Sequence, residues 1–263
     1  MFALIKSFKM HYQVDGESPG TPLVFINSLG CELHIWEGMI QPFRDRFRII
    51  RYDQRGHGLS DVPPGPYTLR NLTDDLSALL DHLEVDEVVL IGISVGGLVA
   101  MDFALLYPAR VRRLVLCDTA PRIATPEMWK ERIEAVHARG LEYMSEMIIS
   151  RWFLPSFHQT HPKEYRQSLE MLSNGSPEGY IATCTALRDA DLGSSLQAIV
   201  APALVLCGAG DLVVTPEQTL EWASCLPKGR VEIIDGAAHL PCIEQPEAVA
   251  SAIYRFLLED GHE

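Results

Sequence analysis

The sequence predicts an α/β fold: a mostly parallel, eight-stranded sheet flanked by helices, with a helical cap inserted after the sixth strand. Three observations predict it. Short apolar strand-like runs alternate with helix-like segments, the pattern of a parallel sheet covered on both sides. One run, Val88-Val89-Leu90-Ile91-Gly92-Ile93, stops at Ser94 and passes at once into an apolar helical stretch from Leu98 to Leu106. Between the sixth and seventh runs lie about eighty residues without a strand pattern, too many for a loop in a compact domain.

The elements follow in order. Residues 2–7 read as a first strand and not a signal peptide, because no charged stretch precedes the apolar part and no small-residue cleavage site follows. Strand-like runs follow at 8–14, 22–27 and 47–52. Over 69–83, Leu69, Leu72, Leu76, Leu79, Leu80 and Leu83 form a 3.6-residue stripe, hence a helix. Strands are expected at 87–93 and 111–117, then at 202–207 and 230–234. The last helix starts at Pro246 and carries Val249, Ile253, Phe256 and Leu257 on one face. Residues 121–195 are rich in helix formers, with Met128, Trp129, Tyr143, Met144, Met147, Trp152, Phe153, Phe157 and Tyr180. They read as the cap, and 1–120 with 196–263 as the core.

Composition narrows the function. The chain has 263 residues, 47% hydrophobic and 22% charged, enough for one large domain with an insertion. No apolar run approaches the ~20 residues that cross a bilayer. The six cysteines form no C-x-x-C pair, and several sit in apolar runs, so reduced, buried thiols and a cytoplasmic location are expected. A formal charge of −13 disfavours nucleic acid and anionic membranes as partners. It also means that an anionic substrate needs a local arginine or lysine.

Gly92-Ile93-Ser94-Val95-Gly96 has the strand–turn–helix setting of a nucleophile elbow. The glycines remove side chains that would collide on a cramped turn, and the hydroxyl stands where helix N–H groups point outward. A serine hydroxyl needs a base, and the base needs an orienting acid. In this architecture they follow in the order serine, acid, histidine, each after a strand. Asp211, after Val205-Leu206-Cys207-Gly208-Ala209-Gly210, fits the acid, although a turn aspartate capping the helix at Pro216 has the same look. Asp118 also ends a strand and is the rival acid. His239, after the strand and small-residue loop of 231–238, fits the base; His57 competes but precedes the serine. Two N–H donors must hold the oxyanion. Val95 supplies one, and Leu29, in Asn27-Ser28-Leu29-Gly30 after the third strand, the other. His158-Gln159-Thr160-His161 is a two-histidine cluster in a Pro-flanked loop without an obvious third ligand, so no metal is expected. No phosphate-cradling motif exists, and no cofactor is expected.

Elbow, Asn-Ser-Leu-Gly loop, Asp211 and His239 together resemble the α/β-hydrolase superfamily. Further segments resemble its 3-oxoadipate enol-lactonases. These are Trp36, Arg51-Tyr52-Asp53-Gln54-Arg55-Gly56-His57-Gly58-Leu59-Ser60, Pro64-Gly65-Pro66-Tyr67-Thr68, and Asp118-Thr119-Ala120. Thr125-Pro126-Glu127-Met128-Trp129, Arg151-Trp152-Phe153, Pro177-Glu178-Gly179-Tyr180, Arg188-Asp189-Ala190-Asp191, Ala238-His239-Leu240 and Glu244-Gln245-Pro246-Glu247 complete the set. The resemblance implies a serine hydrolase that opens a carboxylated enol-lactone in aromatic-acid catabolism, through an acyl-enzyme on Ser94. A buried substrate carboxylate needs a cation, and Arg132, Arg151 and Arg188 are the candidates, each also readable as a surface ion pair. Trp129 and Trp152 either line the pocket or form cap core. A broader carboxylesterase or perhydrolase, or a carbon–carbon bond hydrolase of ring-cleavage products, is the alternative. A non-catalytic receptor on this fold is disfavoured by the filled triad, and an aspartate-nucleophile enzyme by serine at 94.

Overall fold

A computed structural model describes residues 1–16 and 18–258. Eight strands form one sheet: β1 (Phe2–Ile5), β2 (Phe8–Asp15), β3 (Leu23–Ile26), β4 (Ile49–Tyr52), β5 (Val88–Ile93), β6 (Val111–Cys117), β7 (Ala203–Gly208) and β8 (Gly229–Ile234). Their spatial order is β1-β2-β4-β3-β5-β6-β7-β8. β1, β2 and β4 pair antiparallel, and every pairing from β4 through β3 to β8 is parallel. The alternation of apolar runs predicted this arrangement. Every residue of β3, β4, β5 and β7 is buried, as a parallel sheet with both faces covered requires.

Four predicted strands are shorter than expected, 22–27 and 87–93 only by terminal residues. The run 2–7 ends at Ile5, because Lys6 takes φ 56° and turns the chain into β2. The run 47–52 begins at Ile49, because the Phe47 N–H still donates to the Phe43 carbonyl and closes the preceding helix. That helix is α1 (Glu37–Arg44). The leucine stripe forms α2 (Leu69–His82), started by a reciprocal cap between Thr68 and Asn71, a device worth about 1 kcal/mol. α3 (Val95–Leu106) follows the elbow and is buried almost throughout. It packs on α2 and on β3, β5 and β6.

Between β6 and β7 the described chain is helical: α4 (Pro126–Arg139), α5 (Leu141–Ile149), α6 (Phe157–Thr160), α7 (Pro162–Ser173) and α8 (Pro177–Asp189), then a 3-10 turn at Gly193–Ala198. Thr125 and Ser176 cap α4 and α8, and proline opens α4, α7 and α8, where its missing N–H costs nothing. α4 packs on α8 and α5 on α7. Trp152, Phe153, Phe157 and Tyr180 are buried within it, while Met128, Tyr143 and Met147 are exposed. The core closes with α9 (Pro216–Ala223), α10 (Pro241–Glu244) and α11 (Pro246–Leu258). Five cysteines are buried as expected; Cys225, after α9, is exposed.

Candidate active site

The parallel register sets the position of Ser94. Gly92 pairs with Ile26 of β3 on one side and Leu116 of β6 on the other, so β5 ends between two neighbours. The chain must then reverse within one residue, and Ser94 does so at φ 56°, ψ −121°. Its N–H bonds the Cys117 carbonyl at 3.0 Å, and its own carbonyl accepts the Thr119 hydroxyl at 2.7 Å. The flanking glycines are obligatory. A Cβ on Gly92 would lie 2.2 Å from the Gly96 carbonyl oxygen, and one on Gly96 2.2 Å from that of Ile26. α3 therefore abuts the end of β3, close to the loop that carries Leu29.

That loop is fixed by its own side chains. Asn27 donates from Nδ2 to the Tyr52 carbonyl at 2.9 Å and accepts the Trp36 indole N–H at 2.8 Å. Gln54 donates to the Asn27 carbonyl at 2.9 Å. Val95 opens α3, so its N–H has no acceptor one turn back in the helix. Leu29 and Ser94 line one cavity.

Asp211 and His239 stand on the loops after β7 and β8. A Cβ on Gly208 would come within 2.0 Å of the Ala238 carbonyl oxygen, so glycine lets these two loops touch. His239 Nδ1 lies 2.8 Å from Asp211 Oδ2, and both side chains are buried. A carboxylate only accepts, so Nδ1 is the ring nitrogen that donates here. Asp211 Oδ1 accepts the N–H groups of Val213 and Val214 at 2.7 and 3.2 Å, which hold its plane. The ligand-type atoms of Asp118, Asp211 and His239 lie within 4.8 Å of one another.

Ser94, His239 and Leu29 share a cavity of about 650 Å³ with Trp129, Arg132, Arg151, Trp152 and Tyr180. Arg188 is not among its walls; its guanidinium makes two bonds to Asp189, at 2.7 and 2.8 Å. Arg132 meets the Tyr180 hydroxyl at 3.2 Å, and Arg151 the Leu212 carbonyl at 3.1 Å. His57 does not approach Ser94 through this cavity. It lines a second cleft of about 950 Å³ beyond Tyr180, with Nδ1 on the Arg55 carbonyl, and burial holds its pKa below the usual value. His158 belongs to α6 and not to a loop, and His161 directly follows it; His158 packs on the Tyr165 ring and His161 on Phe157.

Residues 21–151 match the family model of the α/β hydrolase fold. The chain is 35% identical over 244 residues to 3-oxoadipate enol-lactonase 2 of Acinetobacter baylyi, covering 93% of this chain and 91% of that one. The chain belongs to the 3-oxoadipate enol-lactonase family of α/β hydrolases. The crystal structure of the enol-lactonase from Burkholderia xenovorans LB400 superposes with a TM-score of 0.95 at 34% identity, over 98% of this chain and 100% of that one. A thermophilic esterase from Thermogutta terrifontis, described with malate bound, gives 0.91 at 32% identity, over 98% and 97%.

Two residues of this enol-lactonase-family site were given no role by the sequence beyond resemblance. Glu244 accepts the Ala238 N–H at 2.6 Å and the Leu154 N–H at 2.8 Å, so it ties the His239 loop to the inserted helices. Tyr180, read only as a cap aromatic, stands between the two cavities and lines both. No helix among the described residues is long and apolar enough to cross a membrane.

Proposed function

We propose that this hydrolase opens 3-oxoadipate enol-lactone, a carboxylated enol-lactone, by a Ser94–His239–Asp211 triad. His239 Nε2 takes the Ser94 proton, and Ser94 attacks the lactone carbonyl. The N–H groups of Leu29 and Val95 hold the oxyanion. The ring opens with an enol as leaving group, and His239 returns its proton. His239 then activates water to free the acid, and the enol tautomerises to the keto acid. Asp211 orients the imidazole and stabilises its charged form. Residues 121–195 act as the lid over this chemistry, supplying Trp129, Arg132, Arg151, Trp152 and Tyr180 to the cavity.

One observation carries the reading. The serine's cavity holds Arg132 with a neutral partner, the Tyr180 hydroxyl, and no carboxylate partner among the described residues. A half-buried guanidinium left in that state is a seat for a substrate carboxylate. The relatives named enol-lactonases and the malate-bound esterase support the same chemistry. The esterase likeness also favours a second reading, a broader carboxylesterase.

Turnover of the enol-lactone beside a neutral p-nitrophenyl ester separates the two. The expected result is a kcat/KM at least about a hundredfold higher for the lactone, abolished in Ser94→Ala together with fluorophosphonate labelling. Equal turnover of both compounds supports the carboxylesterase, and turnover that survives Ser94→Ala refutes the nucleophile.

A further inference from the structure

The cluster of Asp118, Asp211 and His239 holds one acid more than a triad needs. Asp118 follows β6 directly, in the left-handed region at φ 44°, and is completely buried. Its N–H bonds the Leu206 carbonyl at 2.9 Å, and its Oδ1 accepts the Gly208 N–H at 2.8 Å. Its Oδ2 is buried and receives no hydrogen bond among the described residues. A carboxyl oxygen of Asp211 lies within 4.8 Å of one of Asp118, with a ring nitrogen of His239 in the same cluster.

Two carboxyl groups buried this close together, with no cation between them, are not both ionised; one keeps its proton. Asp211 accepts three donors, the Val213 N–H, the Val214 N–H and His239 Nδ1. Asp118 accepts one backbone N–H. The groups facing Asp118 are Asp211, Glu244 of α10, His239, Cys207 of β7 and Cys242 of α10, with Cys117 beside it on β6. None is a fixed cation. Burial, and after it the Asp211 charge, pushes the Asp118 carboxyl well above the usual carboxylate range.

We propose that Asp118 is a positioning residue that keeps its proton at neutral pH and donates it from Oδ2 to the Asp211 carboxylate. The donor holds Asp211 in the plane that meets His239 Nδ1. It also spreads the Asp211 charge and moderates its pull on the imidazolium. Asn at 118 reproduces both bonds, with its carbonyl on Gly208 N–H and its amide on Asp211. Ala removes them, concentrates charge on Asp211 and strengthens its hold on protonated His239.

The inference rests on the Ser94–His239–Asp211 reading, so the test reads Ser94 directly. Second-order labelling by a fluorophosphonate is followed against pH in the wild type, Asp118→Asn and Asp118→Ala, beside kcat and KM for the enol-lactone. Asp118→Ala is expected to lose about tenfold in labelling rate and in kcat, with KM held within about twofold. Its acid limb should move up by about half a pH unit or more. Asp118→Asn should recover the rate to within about threefold, with the limb in its original place. Labelling by Asp118→Ala at the wild-type rate overturns the proposal, as does Asp118→Asn no faster than Asp118→Ala. Wild-type enzyme that is not labelled at all overturns the triad reading beneath it. If Asp118→Ala does not fold, infrared difference spectra of wild type minus Asp118→Asn decide. A protonated carboxylic C=O band at neutral pH supports the proposal, and only ionised carboxylate bands overturn it.

Discussion

Arg132 shows how far the sequence went at the level of single residues. It offered Arg132, Arg151 and Arg188 as equals, because whether a guanidinium is already neutralised depends on its neighbours in space. For Arg188 the signal was present in the chain: Asp189 follows it and holds it in two bonds. For Arg132 no such signal existed, since its partner Tyr180 lies 48 residues on. Ser94 and His239 could be singled out because the chemistry asks for a serine and a histidine after strands in a set order. Chain order could not separate Asp211 from Asp118, since both end strands and both lie between Ser94 and His239; the structure places His239 Nδ1 on Asp211. If Arg132 binds the substrate carboxylate, it does so equally in ground and transition states. Arg132→Ala should then raise KM for the enol-lactone by about 10- to 100-fold, the worth of a charge-assisted hydrogen bond, with kcat nearly unchanged. KM for a neutral ester should stay within about twofold. An equal rise for both substrates would show that Arg132 only supports the wall of the cavity.

The elements were legible where periodicity is strong, and less so where contacts between distant segments decide. β5, the elbow and α2 fall where apolar spacing put them. α10 is a single turn whose last residue, Glu244, joins partners 6 and 90 residues away, a role that spacing does not show. The Leu240 N–H adds a third stitch, to the Trp152 carbonyl at 3.1 Å. The loop that carries His239 is thus tied to the helices above it. Burial raises the Glu244 carboxyl above the usual range, and its two N–H bonds oppose that shift. Glu244→Ala strips an acceptor from two N–H groups, each costing about 1–3 kcal/mol if left unpaired. Urea unfolding should show a loss of about 2–4 kcal/mol, and kcat should fall more than KM rises as His239 loosens. Glu244→Gln keeps one acceptor and should recover part of both. A Glu244→Ala enzyme with wild-type kcat would mean that the tie serves the helices and not the histidine.

Across the whole molecule, the sheet order, the long helical insertion and the charge act together on the substrate. The order of strands brings the ends of β3, β5, β7 and β8 to one rim, so residues as distant as Leu29, Ser94 and His239 face one cavity. The insertion lays cationic Arg132 and Arg151 over that rim, on a chain whose formal charge is −13. The two effects have different ranges. Net charge repels an anion over long distances and is screened once the Debye length falls from about 30 Å at about 0.01 M salt to about 8 Å at about 0.15 M. A half-buried guanidinium acts at contact and is screened far less. Added salt should therefore remove the repulsion and leave the capture. The expected outcome is a rise of about two- to threefold in kcat/KM for the anionic lactone across that range, with a flat profile for a neutral ester. The KM defect of Arg132→Ala should persist at both salt concentrations. A steep fall of lactone kcat/KM with salt would show the reverse, that a positive local field already governs approach to the cavity from a distance.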